Sequence, residues 1–167
     1  SGEYTIVVSS LGFFTIEKKL TINPGEDIHE DRVNHKFLFM TVLVTLLLGV
    51  MYADGQATES EKEHIKQVIR EYIPPKSYVG QLIKPIFAGV KANKSYTNAK
   101  IISSLVNGFT DSEKLLVISL CHEIAAVDGE VAAKEDKYIR GIAKVLKIDN
   151  RYLSYVLGDS DDTDSDT

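Results

Sequence analysis

One stretch of this chain occurs twice, and that recurrence limits the folds open to it more than any other feature. The clearer copy is Ile124-Ala125-Ala126-Val127-Asp128-Gly129-Glu130-Val131-Ala132-Ala133-Lys134-Glu135, followed by Ile139. The other is Val50-Met51-Tyr52-Ala53-Asp54-Gly55-Gln56-Ala57-Thr58-Glu59-Ser60-Glu61, followed by Ile65. The offset is 74 throughout: Asp54 to Asp128, Glu61 to Glu135 and Ile65 to Ile139. Each copy reads as the end of an apolar helix, an Asp-Gly stop, a short turn and a second helix with an acid in its first turn. Gly55 and Gly129 stand where a helix ends in a left-handed residue, a conformation glycine adopts without a Cβ clash. One supersecondary unit per copy predicts an all-α domain with two internally repeated Asp-Gly helix pairs.

The helix entering the first copy is apolar almost without interruption from Phe37 to Ala53. A bilayer requires ~20 such residues, and Lys36 and Asp54 bound this run tightly. We therefore read it as the central helix of a bundle rather than a membrane span. Its twin at 111–127 is amphipathic and carries His122 and Glu123. Thr58-Glu59-Ser60-Glu61 and Thr110-Asp111-Ser112-Glu113 are capping boxes, which open helices to about Tyr72 and Val127. Pro74-Pro75 ends the first of these. Pro75 starts another helix to about Val90, kinked or interrupted at Pro85, and Thr97 caps a helix over 98–107. A helix over 132–146 and a last one from the Asp149 cap to Val156 bring the total to about seven, within a domain spanning 34–157.

Residues 1–33 form an N-terminal extension of different character. Thr5-Ile6-Val7-Val8 and Phe13-Phe14-Thr15-Ile16 predict a β-hairpin turning over Ser9–Gly12. A lone hairpin is marginal, so it must pack on the helices or stay mobile. Asn23-Pro24 predicts a short helix through Asp31. Residues 158–167 are an acidic tail or linker with nothing to bury, expected to be disordered.

Composition narrows the classes. The chain has 167 residues, 44% of them hydrophobic and 26% charged, with a net charge of −5. That balance argues against nucleic acid as a partner. Cys121 is the only cysteine, which rules out an internal disulfide and fits a cytoplasmic protein. The opening Ser1-Gly2-Glu3 is not a secretory leader, and the missing Met reads as a cleaved tag or a piece of a longer protein. From Tyr72 to Thr110 there is no acid, yet Lys76, Lys84, Lys91, Lys94 and Lys100 lie there with Tyr78 and Tyr96 among them. Such a segment suits phosphate, anionic lipid or an acidic partner, and equally a solvated basic face.

The repeated unit resembles the TerB-like domains named for bacterial tellurite resistance. Their signature is a small-residue helix end with Asp-Gly, an apolar residue, Ser or Thr, and a Glu about seven positions after the Asp. Ala53-Asp54-Gly55-Gln56-Ala57-Thr58 with Glu61 matches it. Val127-Asp128-Gly129-Glu130-Val131 with Glu135 matches too, except that Ala132 replaces the Ser or Thr. The resemblance covers residues 34 to 157. It implies a non-catalytic module acting in tellurite or stress resistance or in regulation, with these acids as a metal site. Related domains in DnaJ-like membrane co-chaperones imply a protein partner, which a membrane-associated assembly could supply.

Asp54, Glu61, Asp128 and Glu135 are thus the candidate metal ligands. If the two units pack about a pseudo-twofold axis, equivalent acids converge and repel in a low dielectric. A divalent cation relieves that repulsion, and an all-oxygen ligand set suits calcium first, then magnesium or manganese. The competing reading gives each Asp to its own turn and each Glu to its own helix start. Glu135 weighs toward metal, because Ala132 cannot complete a capping box there. The spacing of the acids is not that of an EF-hand.

Other candidates are weaker. His64 follows Glu61 at the Glu-x-x-His spacing of bundle metal sites, but its counterpart is Tyr138, so we read it as a surface residue. His122 and Glu123 are adjacent and project from different faces. Cys121 reads as an inert core thiol. No nucleophile stands beside a base and there is no Gly-rich phosphate loop, so the chain reads as no enzyme. The rival to cation binding is a metal-independent interaction or scaffold domain of a larger protein.

Overall fold

A computed structural model describes residues 2–10, 14–26 and 30–158. Two strands, β1 (Gly2–Ser10) and β2 (Phe14–Ile22), pair antiparallel with Gly2 opposite Ile22. Seven α-helices follow among the described residues: α1 (Glu30–Tyr52), α2 (Glu59–Tyr72), α3 (Ile83–Asn93), α4 (Ala99–Leu105), α5 (Asp111–Ala125), α6 (Ala133–Val145) and α7 (Asn150–Leu157). The domain is all-α, as expected, with the hairpin set against it.

The apolar run is the axis of the fold. Every residue from Met40 to Met51 is buried, and α2, α3, α4, α5 and α6 all pack against α1. The stretch His35–Tyr52 has the length and composition of a membrane span, and 72% of it lies buried inside the protein. Two threonines sit in this apolar helix at little cost. Thr41 Oγ1 donates to the Phe37 carbonyl (2.9 Å) and Thr45 Oγ1 to the Thr41 carbonyl (2.6 Å), so neither hydroxyl is left unpaired. α5 supplies Val117, Ile118, Cys121 and Ile124 to the same core. Burying each such side chain stabilises the fold by about 1.5–3 kcal/mol.

Both capping boxes form: Thr58 with Glu61 opens α2, and Thr110 with Glu113 opens α5. Other boundaries move. The helix expected from Pro75 to Val90 is instead a 3-10 turn over Gly80–Leu82 followed by α3. Gly80 lies against the chain at Pro74, where a Cβ would come within 2.2 Å of the Pro74 carbonyl oxygen. Pro85 falls in the first turn of α3, where its missing N–H has no helical partner to lose, so no kink is needed. The cap of α4 is Asn98, whose side chain accepts from the Ile101 amide, rather than Thr97.

Residues 23–26 form a turn, with the Glu26 amide donating to the Asn23 carbonyl and Gly25 at φ 86°, instead of opening a helix at Pro24. Residues 27–29 of that expected helix, the centre of the hairpin turn at 11–13 and the tail at 159–167 lie outside the described residues. The hairpin packs on the helices through its C-terminal end. Leu20 is buried, and the Gln81 side chain mimics a strand: Thr21 N donates to its Oε1 (3.0 Å) and its Nε2 donates back to the Thr21 carbonyl (2.8 Å).

Candidate functional site

The two Asp-Gly turns are built alike. Gly55 and Gly129 both take positive φ, 80° and 102°. The Gly55 amide donates to the Tyr52 carbonyl and the Gly129 amide to the Ala126 carbonyl, again 74 residues on. Past each turn the Glu bends back to its own helix start: Glu61 Oε2 accepts the Thr58 amide (2.8 Å) and Glu135 Oε2 accepts the Ala132 amide (3.0 Å). Glu135 therefore has a structural role after all, which corrects the expectation that the change to Ala132 removes it. Ala132 lacks only the side-chain oxygen, so half of the box survives.

Each carboxylate keeps a second oxygen that the cap does not use. Glu61 and Glu135 are both only 3% exposed, and they face one another in hydrogen-bonding contact. Burial pushes the Glu135 carboxyl up to about 7, despite the Ala132 amide, and the neighbouring Glu61 and the charge of Asp54 push the same way. Two buried carboxylates in contact resist double ionisation, so Glu135 holds its proton above the usual carboxylate range.

The aspartates stand at the rim. Asp54 Oδ1 accepts the amide of Gln56 in its own turn (2.9 Å). Asp128 instead reaches the other unit, where its Oδ2 accepts from Thr58 Oγ1 (3.3 Å). The fold thus brings Glu61 and Glu135 into contact, sets Asp54 near Glu135, and links Asp128 to the same cluster through Thr58. Among the described residues, no three His, Cys, Asp or Glu side chains are already grouped as a metal cage. The donors fit a hard cation in chemistry, all being oxygens, but not yet in arrangement.

Residues one turn further along behave differently. His64 is half-buried, and its Nε2 lies 2.8 Å from Glu123 Oε1 on α5. Tyr138, 74 residues after His64, packs into a notch at Gly49, which is 74 residues before Glu123. A Cβ on Gly49 would lie 2.0 Å from the Tyr138 hydroxyl oxygen. That hydroxyl donates to the Tyr96 carbonyl (2.9 Å), and burial raises its pKa far above the ordinary tyrosine value. The partners had a legible signal: applying the same offset to both members of one pair gives the other. A second His–Glu contact, His35 Nε2 to Glu113 Oε2 at 2.6 Å, ties α1 to the start of α5 and had no such signal.

Cys121 is buried, and desolvation pushes its thiol up to about 12, so it is no nucleophile at neutral pH. The five lysines of the middle segment are all exposed, as a solvated basic face requires, but the two tyrosines among them turn inward. Tyr78 is buried, and Tyr96 stacks on Tyr52 with ring centres 5.7 Å apart.

Comparison with known proteins gives one match. The family model described as "Tellurite resistance protein TerB" matches residues 40–155. No curated protein and no solved structure matches the chain.

Proposed function

The chain belongs to the tellurite resistance protein TerB family, and from that membership we propose that it is a non-catalytic module binding a divalent cation at Asp54, Glu61, Asp128 and Glu135. The observation that carries this reading is the buried contact of Glu61 with Glu135. Either a proton or a divalent cation relieves the repulsion of such a pair, and at neutral pH a cation with oxygen preference competes well for it. Asp54 and Asp128 sit on turns, half-buried and exposed, so both can swing toward the pair without disturbing a helix. A bound cation would neutralise the carboxylates and tie the two units together. Calcium is the first candidate.

We further infer that the two units arose by internal duplication and pack about a pseudo-twofold axis between Glu61 and Glu135. The support is the exchange of contacts: α1 packs on α6 while α2 packs on α5, and the pairs 49–138 and 64–123 are related by the offset of 74. The role lies in tellurite or stress resistance, in the cytoplasm. The second reading, a metal-independent interaction module, draws on the exposed Tyr152 and Tyr155 of α7.

Calcium titration followed residue by residue by NMR tests the proposal. Shifts should concentrate at residues 54–61 and 128–135 and vanish in Asp128→Asn together with Glu135→Gln. Saturating calcium that moves neither loop would leave the interaction reading in its place.

A further inference from the structure

We propose that the groove between α1, α2 and α3 docks an amphipathic helix of a partner protein whose apolar stripe is flanked by acidic residues. The groove has a volume of about 970 Å³ and does not involve the carboxylate site. Its floor is apolar: Leu48 and Met51 from α1, Ile65 and Ile69 from α2, Ile83 and Phe87 from α3. Five cations rise from it, Lys62, Lys66 and Arg70 on α2 with Lys84 and Lys91 on α3, and no acid lines it among the described residues. This is a local excess of positive charge on a chain whose net charge is −5.

The spacing sets the shape of the partner. Lys62, Lys66 and Arg70 recur every four residues, so they form one row along α2 that is about 12 Å long at 1.5 Å per residue. Lys84 and Lys91 lie two turns apart on α3 and form the opposite row. Among the described residues, only Lys62 and Lys66 of the five form ion pairs, with Glu59 at 2.8 Å and Glu63 at 3.9 Å, each on α2 itself. Exposed pairs of this kind hold weakly and yield to a better partner. Arg70, Lys84 and Lys91 have no ion pair among the described residues. Two rows of cations over an apolar trough complement a helix with an apolar stripe and acids along both flanks. A single acyl anion or phospholipid carries one headgroup and would leave most of the five unmatched.

The probe is a fluorescent synthetic helix of about four turns, close to the length of α2, with leucines on one stripe and glutamates on both flanks. It should bind the full chain, shift NMR signals of the groove residues, and weaken as salt rises. Arg70→Glu with Lys84→Glu, both at exposed positions, should weaken binding roughly tenfold or more while leaving the melting temperature near that of the parent. A peptide with serines for leucines and one with lysines for glutamates should both fail. The proposal is overturned if the serine peptide binds as well as the leucine one, if shifts fall outside the groove, if the double reversal changes nothing, or if the glutamate peptide does not bind. Binding of phosphatidylglycerol vesicles in its place would make the groove a lipid site. Self-association abolished by the double reversal would make it a contact between copies of this chain. Either result also overturns the proposal.

Discussion

The first and second Asp-Gly units agree up to their glutamates and part company one turn later. In both, a glycine of positive φ ends the helix and a Glu caps the next. Beyond that, the first unit sets the half-buried His64 against the exposed Glu123, while the second drives Tyr138 into the notch at Gly49. The Thr58 cap is complete, and the Ala132 cap is half made. The difference separates two kinds of constraint. What is kept in both units is the turn and the carboxylate that meets its counterpart. What differs is packing: Tyr138 fills a notch in the buried helix α1, while His64 meets the exposed Glu123.

The largest effect should come from filling the notch. Gly49→Leu displaces the Tyr138 ring from a well-packed position and should cost about 3 kcal/mol in urea unfolding. Glu123→Ala at the counterpart position, whose carboxylate is exposed and meets only His64, should change stability by less than about 1 kcal/mol. Equal costs at the two sites would break the comparison. Next in size, Tyr138→Phe removes the hydrogen bond to the Tyr96 carbonyl and should cost about 1 kcal/mol, whereas His64→Ala should stay within about 0.5 kcal/mol.

The caps give a smaller and sharper pair. Thr58→Ala turns the first cap into the second and should cost about 1 kcal/mol, and Ala132→Thr, which completes the other box, should gain about 0.5 kcal/mol. If Ala132→Thr destabilises, the second unit does not share the geometry of the first.

Much of this was readable beforehand because it is local. Capping boxes, Asp-Gly stops and the apolar run at 37–53 depend on neighbours in the chain, and they place α2, α5, α6 and the end of α1 to within a few residues, whereas α1 begins at Glu30, inside the stretch expected to be the N-terminal extension. The 3-10 turn at Gly80–Leu82 was not readable, because it depends on how closely the chain at Pro74 approaches. The docking of the hairpin through Gln81 was hidden for the same reason: a glutamine in a turn carries no mark of the strand it will complete. The offset of 74 picks out the acids of both turns, but it does not show the retained cap at Ala132, since a missing side-chain acceptor hides an intact backbone donor. The cationic groove was half visible. Lys84 and Lys91 stood out in an acid-free segment, but Lys62, Lys66 and Arg70 were masked by the acids with which they alternate on α2.

The central claim is that Glu61 and Glu135 are held together against their charge, and it carries a sign in pH. Glu135 ionises near 4.5 ordinarily and near 7 in the fold, so between those values the folded state holds the extra proton. Stability should therefore fall as pH rises from about 4.5 through about 7 and level off above. Glu135→Gln should remove most of that slope. The most direct single measurement is the melting temperature of the parent chain above the Glu135 value of about 7, with and without calcium. The account predicts that calcium restores the stability lost to ionisation, adding about 2.7 kcal/mol at a hundredfold excess over Kd. A melting temperature that calcium does not move, in a protein whose stability does not fall as pH rises toward 7, would contradict it.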